Sequence, residues 1–340
     1  MALNRLARYV PFNRLTRRTG FRMVSTVVGE SGRVYVRGEV LQRNHKDHSL
    51  SIFKAESENK SFVVKRVTRP FYDLSLGLAA EFAGSRRLRM HVDYNQDEGI
   101  LIYPYYRTTL LSLIKDNPDF APLQRIKILH YTAEAIQELH SQGWVHIDIK
   151  PDNILLNWTL DNEGNEVVTD VSLGDFDIAC KLRDDQALRT PYAIGNAMWR
   201  SPEGQTGIGV TKASDVYSFG LVCIYTLGGG LFLLLNNYQE LLKHNITPEQ
   251  AILTQHFAYF GPVPEGLLRQ VDNENWCRAL KATSNAADQI VNGSPELRFT
   301  EWGAEFGHEA QSMISGMISL DPAARTTINQ VLSHELWQLA

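Results

Sequence analysis

Six polar side chains between positions 65 and 175 carry most of the chemical content of this chain: Lys65, Glu81, Asp148, Lys150, Asn153 and Asp175. The densest stretch is His146-Ile147-Asp148-Ile149-Lys150-Pro151-Asp152-Asn153-Ile154-Leu155-Leu156. A carboxylate can accept a hydroxyl proton and an ammonium can meet a phosphate oxygen. An amide oxygen and a second carboxylate can together hold a hard divalent cation. Those are the requirements of phosphoryl transfer, which asks mainly for positioning and charge. Asp175, in Leu173-Gly174-Asp175-Phe176-Asp177-Ile178-Ala179, and Lys65, in Phe62-Val63-Val64-Lys65, each close an apolar run. Alone, the first would be a solvated turn carboxylate and the second a surface lysine snorkelling to water.

Bringing such residues together needs elements that the apolar pattern supplies. Arg33 to Leu41, Leu50 to Ala55 and Ser61 to Val67 are rich in Val, Ile, Phe and Tyr and read as strands. Phe71 to Met90 keeps helical spacing through Leu74, Leu78, Phe82 and Leu88, and places Glu81 inside a helix; Gly99 to Pro104 reads as another strand. Beyond Pro104 the chain is mainly helical. Thr108 to Lys115 and Pro122 to His140 come first, the latter with Ile126, Leu129, Ala133 and Ile136 on one stripe and Gly143 as its stop. Trp144 to Asp177 alternates short strands with polar loops, and Ser214 to Leu227, Pro248 to His256 and Glu309 to Ile318 read as helices. A small β-rich lobe thus precedes a larger helical one, with no internal repeat.

Composition narrows the function classes. Hydrophobic residues at 44% and charged residues at 21% suit a folded globular body. A net charge of -4 and a pI near 6.2 give no basic footprint for nucleic acid. Three separated cysteines, Cys180, Cys223 and Cys277, form no metal or disulfide framework and suit a reducing compartment. The uncharged stretch Val216 to Gln239 is interrupted by Gly228, Gly229 and Gly230, so a buried helix and loop is expected and no membrane span. Residues 1–29 hold Arg5, Arg8, Arg14, Arg17, Arg18 and Arg22 and no acid. That pattern fits either a mitochondrial targeting segment or a basic tail, with a cytoplasmic or nuclear location under the second reading.

The string His146 to Leu156 closely resembles the catalytic loop of protein kinases, H-R-D-x-K-x-x-N, and Asp175 stands where the D-F-G motif has its aspartate. The resemblance implies an α+β, two-lobed protein kinase-like fold, with residues 30–104 as the N-lobe and 105–340 as the C-lobe. It implies ATP and Mg2+ as cofactors and a protein substrate as partner. By the same resemblance Asp148 orients the acceptor hydroxyl, Lys150 meets the γ-phosphate, and Asn153 and Asp175 bind the metal. Phe62-Val63-Val64-Lys65 looks like the V-A-I-K strand whose lysine holds the α- and β-phosphates, with an expected Lys65–Glu81 ion pair. Tyr103-Pro104-Tyr105-Tyr106 looks like the hinge, where the Pro104 carbonyl and the backbone of Tyr105 or Tyr106 would read adenine. Ser201-Pro202-Glu203 resembles A-P-E, Asp215-Val216-Tyr217-Ser218-Phe219-Gly220 the start of the central helix, and Asp321-Pro322-Ala323-Ala324-Arg325 the D-P-x-x-R string. They imply a buried Glu203–Arg325 ion pair and an Asp215 that braces the catalytic loop, and they disfavour a small-metabolite kinase.

Four departures stand out. Ile147 replaces the arginine of H-R-D, so the usual receiver of an activation-loop phosphate at Thr190 or Tyr192 is lost. Asp177 replaces the D-F-G glycine and either binds metal or faces solvent. Asn196 replaces a common threonine. The phosphate-covering loop has two registrations: Val27 to Val34, which keeps Gly29 and Gly32, or the preferred Gln42 to Ser49, which has no glycine. Lys150 favours serine or threonine as acceptor. An active kinase and a binding module of the same fold, a pseudokinase, are the two functions in contention.

Overall fold

A computed structural model describes residues 25–339 except 46, 184, 185, 236, 237, 244 and 245. Arg5 through Arg22, on which the targeting reading rests, lie outside the described residues. The fold is α+β and two-lobed. The small lobe holds β1 (Thr26–Val28), β2 (Val34–Gln42), β3 (Ile52–Ser57) and β4 (Lys60–Arg66), then α1 (Arg69–Glu81), β5 (Asp93–Asn95) and β6 (Ile100–Pro104). The strands form one antiparallel sheet in the order β1-β2-β3-β4-β6-β5. β1 was not foreseen; it falls in the stretch read as tail and pairs Val27 with Tyr35.

Alternation along β4 does the positioning. Phe62 and Val64 join Val27, Tyr35, Ala55, Ile100 and Ile102 in the small lobe's own apolar cluster. Val63 and Lys65 therefore point to the opposite face, toward the other lobe, opposite Tyr103 and Leu101 of β6. A slip of one residue would bury Lys65 and expose Val64, so this small cluster fixes the register.

α1 ends at Glu81, well short of the helix expected to reach Met90. Gly84 takes φ 85°, a conformation that side chains with a Cβ avoid, and it turns the chain out of the helix. The following segment runs beside the large lobe: Leu88 bridges Leu173, and the Arg89 amide donates to the Leu173 carbonyl at 2.8 Å.

The large lobe begins with β7 (Thr108–Thr109), α2 (Leu110–Asp116) and α3 (Pro122–Ser141). It continues through β8 (Trp144–Val145), β9 (Ile154–Leu160), β10 (Glu166–Leu173) and β11 (Cys180–Lys181) to α4 (Pro202–Thr206) and α5 (Lys212–Ile224). The Thr211 and Ser214 side chains cap α5 reciprocally, and from Ser214 to Ile224 every residue of that helix is buried. A helix that is apolar all round belongs inside a protein. Among the described residues no helix is long and apolar enough to cross a membrane. A 20-residue helix, Glu274–Gly293, escaped the sequence reading although Asn273 caps it and Leu280, Ala287 and Val291 keep helical spacing.

His256, on the helix Pro248–Phe260, is buried beside Tyr217 and Phe260, with ring centroids 5.7 Å from each, and its Nδ1 has no hydrogen-bond partner among the described residues. Burial pushes its pKa down to about 3. The folded state thus keeps it neutral while the unfolded chain protonates it below about 6.5. Stability is therefore lost as pH falls through 6.5 toward 3. In thermal melts between pH 7 and 4, His256→Phe is expected to lose less of its midpoint than the wild type; equal losses would refute this.

Candidate active site

The loop that carries Asp148 is held from below. Asp215, buried on α5, accepts from the amides of His146 and Ile147 at 2.8 Å each, and its Oδ2 lies 3.0 Å from His140 Nε2. Three polar partners compensate the burial of this carboxylate, so the bracing expected of Asp215 is present. Ile147 adopts φ 71°, which is strained for a β-branched residue and costs on the order of 1–3 kcal/mol. Its side chain is buried with Val145 and Val210, and Leu188 and Ile194 pack against them. Gly195 makes room for this turn, because a Cβ there would lie 2.5 Å from the Ile147 carbonyl oxygen.

Around Asp148 the polar partners are close. Its Oδ2 forms an ion pair with Lys150 Nζ, and its Oδ1 accepts from the Asn196 amide at 2.9 Å. Asn153 Nδ2 donates to the Asp148 carbonyl at 2.8 Å, which leaves the amide oxygen of Asn153 available to a cation. From the other side, β10 ends at Leu173, and the Gly174 amide donates to the Asn153 carbonyl at 2.9 Å. His146 Nε2 lies 3.1 Å from the Gly174 carbonyl, and the His146 and Phe176 rings are 5.1 Å apart. Asp175 follows at φ 67°.

Lys65 reaches down from β4 to this strand end. Its Nζ lies 2.9 Å from Asp175 Oδ1, and 2.8 and 3.1 Å from the two oxygens of Asp177. Burial raises the Asp175 carboxyl, yet the Lys65 ammonium outweighs it and holds the group down at about 2. Asp177, desolvated and beside a second carboxylate, is pushed up to about 6. Asp177 thus meets the Lys65 ammonium while 45% of its side chain stays exposed to solvent.

The expected Lys65–Glu81 ion pair is not formed. Glu81 Oε1 pairs with Lys181 at 2.5 Å, and its Oε2 accepts from Trp144 Nε1 at 3.0 Å. The cause is position along the helix. Phe71, Ser75 and Leu78 line the cleft from α1. Glu81 is the last residue of α1, about 9 Å along the axis beyond Ser75. It ties the end of α1 to β8 and β11 and is not a cofactor-binding residue by position.

Between the lobes lies a cleft of about 900 Å³ whose lining includes Lys65, Lys150, Asn153 and Asp175. Leu41, Gln42 and Ile52 cover it, so the roof is the glycine-free β2–β3 connection, as preferred from loop length. Gly29 and Gly32 belong to the β1–β2 turn instead, where Asp93 accepts from the Ser31 amide at 3.3 Å and the Tyr35 hydroxyl at 3.0 Å. The hinge differs from expectation. Arg89 Nε and Nη2 donate to the Pro104 carbonyl at 3.0 and 2.7 Å, and the Tyr105 amide donates to the Ser61 carbonyl at 3.3 Å. The Pro104 carbonyl and the Tyr105 amide are thus engaged, and of the groups assigned to adenine the Tyr105 carbonyl and the Tyr106 backbone are left. Arg89 lies within 6 Å of the Tyr103 and Tyr106 rings, and burial lowers its pKa to about 10. The sequence reading missed it; an arginine four residues before Asp93 gives no local signal.

No cluster of three or more His, Cys, Asp or Glu side chains among the described residues forms a metal cage. The oxygen donors of Asn153 and Asp175 nevertheless suit magnesium, which keeps several waters and takes further ligands from phosphate. Lys65 and Lys150 bring two ammonium groups to the same cleft.

The sequence model of the family described as "Protein kinase domain" matches residues 88–337, which begin just after α1. The unfolded-protein sensor ire1 of Schizosaccharomyces pombe is 24% identical over 326 residues, covering 86% of this chain and 26% of that protein. MAP kinase-interacting serine/threonine-protein kinase 1 of Xenopus tropicalis is 22% identical over 330 residues, covering 92% of this chain and 68% of that protein. Serine/threonine-protein kinase PrkC of Bacillus subtilis is 36% identical over 121 residues, covering 36% of this chain and 17% of that protein. The chain thus spans about a quarter of the length of the first relative and less of the third.

Proposed function

Because this chain belongs to the protein kinase family, we propose that it transfers the γ-phosphoryl group of ATP to serine or threonine hydroxyls of protein substrates. One observation carries the reading: Lys65 from β4, Lys150 and Asn153 from the loop after β8, and Asp175 from the end of β10 line one cleft, and Asp148 is joined to it by its bonds to Lys150 and Asn153. Asp148, fixed by the Asn196 amide, orients the acceptor hydroxyl and takes its proton. Lys150 lies against the same carboxylate, where it can neutralise the transferring group; its place two positions after Asp148 favours serine or threonine. Lys65 binds the α- and β-phosphates, and Asn153 and Asp175 would hold magnesium. Bound there, the ion supplies charge to the β- and γ-phosphate oxygens. The test is transfer from labelled ATP with magnesium to generic peptides, with Asp148→Asn as control. Transfer equal in both proteins, or in neither, would overturn the reading.

The engaged Pro104 carbonyl and the glycine-free roof favour a second reading, a pseudokinase that works as a binding module. Glycine lets backbone amides approach phosphates closely, and the roof lacks it. Absent transfer together with absent nucleotide binding would support this alternative.

Activity, on the first reading, does not await phosphorylation. Ile147 links the catalytic loop to the 180–210 segment through an apolar cluster instead of a cation. Thr190 already donates to the carbonyls of Tyr192 and Gly207 at 2.6 and 3.1 Å. Phosphorylating Thr190 or Tyr192 is expected to leave turnover within about twofold, read against phosphatase-treated protein; a tenfold rise would contradict it.

A further inference from the structure

The ammonium of Lys65 has to be held against its phosphates by something, and α1 does not do it. That helix carries two carboxylates. Asp73 pairs with Arg69 one turn back at 3.0 Å, and Glu81 is bound to Lys181 and Trp144. The residues that α1 presents to the cleft, Phe71, Ser75 and Leu78, are uncharged, and the Phe71 ring lies 4.8 Å from Lys65 Nζ. The second carboxylate on Lys65 comes from the strand end below. Asp177 presents both oxygens to the ammonium, at 2.8 and 3.1 Å, whereas Asp175 presents one, at 2.9 Å. Asp177 is not among the residues at positive φ, so the backbone here makes no use of a glycine's freedom.

We propose that Asp177 is the positioning residue for Lys65, in place of a helix glutamate, and that Asp175 is thereby left to the cation site. This rests on the reading of Lys65 as a phosphate-binding residue. The geometry explains two departures with one substitution: a helix without a carboxylate facing the cleft, and a carboxylate where a glycine is expected. The anchor sits two residues from Asp175, so Lys65 is tied to the large lobe directly and not through α1. The rotation of α1, which could otherwise break the pair, has no lever on it.

Two measurements on the full chain decide the matter. The first is a double-mutant cycle in urea unfolding with Lys65→Met and Asp177→Asn, and a parallel cycle with Lys65→Met and Glu81→Gln. Coupling of at least about threefold in the unfolding constant is expected for the first pair, and none for the second. No coupling at 65 and 177, or coupling at 65 and 81, overturns the proposal. The second is ATP affinity with magnesium and with EDTA. Asp177→Asn and the smaller Asp177→Ser are expected to weaken it about tenfold in both media, and Glu81→Gln to leave it unchanged. A loss seen only with magnesium would make Asp177 a metal ligand and overturn the positioning role. If the wild type binds no ATP, the proposed function falls, and the unfolding cycles alone still decide whether Asp177 holds Lys65.

Discussion

Asp148→Asn is expected to lower phosphoryl transfer about 10²- to 10⁴-fold while ATP affinity and the unfolding midpoint stay within error of the wild type. The substitution keeps the shape of the side chain, and an amide oxygen can still accept from the Asn196 amide that now sits at 2.9 Å. What it removes is the negative charge that pairs with Lys150 and the basicity that takes a hydroxyl proton. Neither is used to bind nucleotide, so the loss should appear in turnover and spare Kd. Single-turnover transfer from labelled ATP, beside calorimetric binding, checks both halves. A turnover within a few fold of the wild type would remove Asp148 from the catalytic role.

Glu203→Gln and Arg325→Met are each expected to destabilise the protein by about 3 to 5 kcal/mol, whereas the double replacement Glu203→Leu with Arg325→Met costs far less. The two side chains are fully buried, and the guanidinium meets the carboxylate through two bonds, at 2.5 and 2.9 Å. The remaining valences are filled: Ser214 Oγ donates to Glu203 at 2.7 Å, and Arg325 donates to the carbonyls of Ser319 and Ala213 at 2.6 and 3.0 Å. Removing one partner leaves a charge in the interior with no water to solvate it; removing both leaves an apolar gap. Urea unfolding of the two single variants and the double gives the comparison. Additive losses would show that the pair is not a unit.

The residues that the sequence revealed and those that it hid differ in how they are connected. Asp148, Lys150 and Asn153 lie within one short loop, so their mutual placement is nearly covalent, and Asp175 follows along one β-hairpin, β9 to β10. Glu203 and Arg325 are far apart in the chain, and each sits in a common string; the order and spacing of those strings made the pair legible. Lys65 was legible because strand alternation has a period of two and an apolar cluster fixes its phase. Glu81 was misread because a helix converts a spacing into a direction only when its start and end are known. The true end is Glu81, nine residues before the Met90 that hydrophobic periodicity suggested, with Leu88 continuing the apolar pattern by lying against Leu173 in extended form. Arg89 was invisible for a further reason: its partner is a backbone carbonyl, and backbone acceptors leave no trace in side-chain patterns. The family match also begins at residue 88, so the divergent part of the chain is the part where motif spacing is least instructive.

The arginine behind the hinge bears on chemical inhibition. Flat heteroaromatic compounds that offer a donor to the Pro104 carbonyl would find both approaches to that oxygen taken by one guanidinium. Such compounds must displace a partly buried side chain or forgo the bond, and either option weakens them. A scaffold that instead turns an acceptor or a carboxylate toward Arg89, and stacks against Tyr103 and Tyr106, would meet complementary charge in this cleft and none in a hinge that lacks the arginine. Selectivity for this protein would then follow from one residue outside every motif.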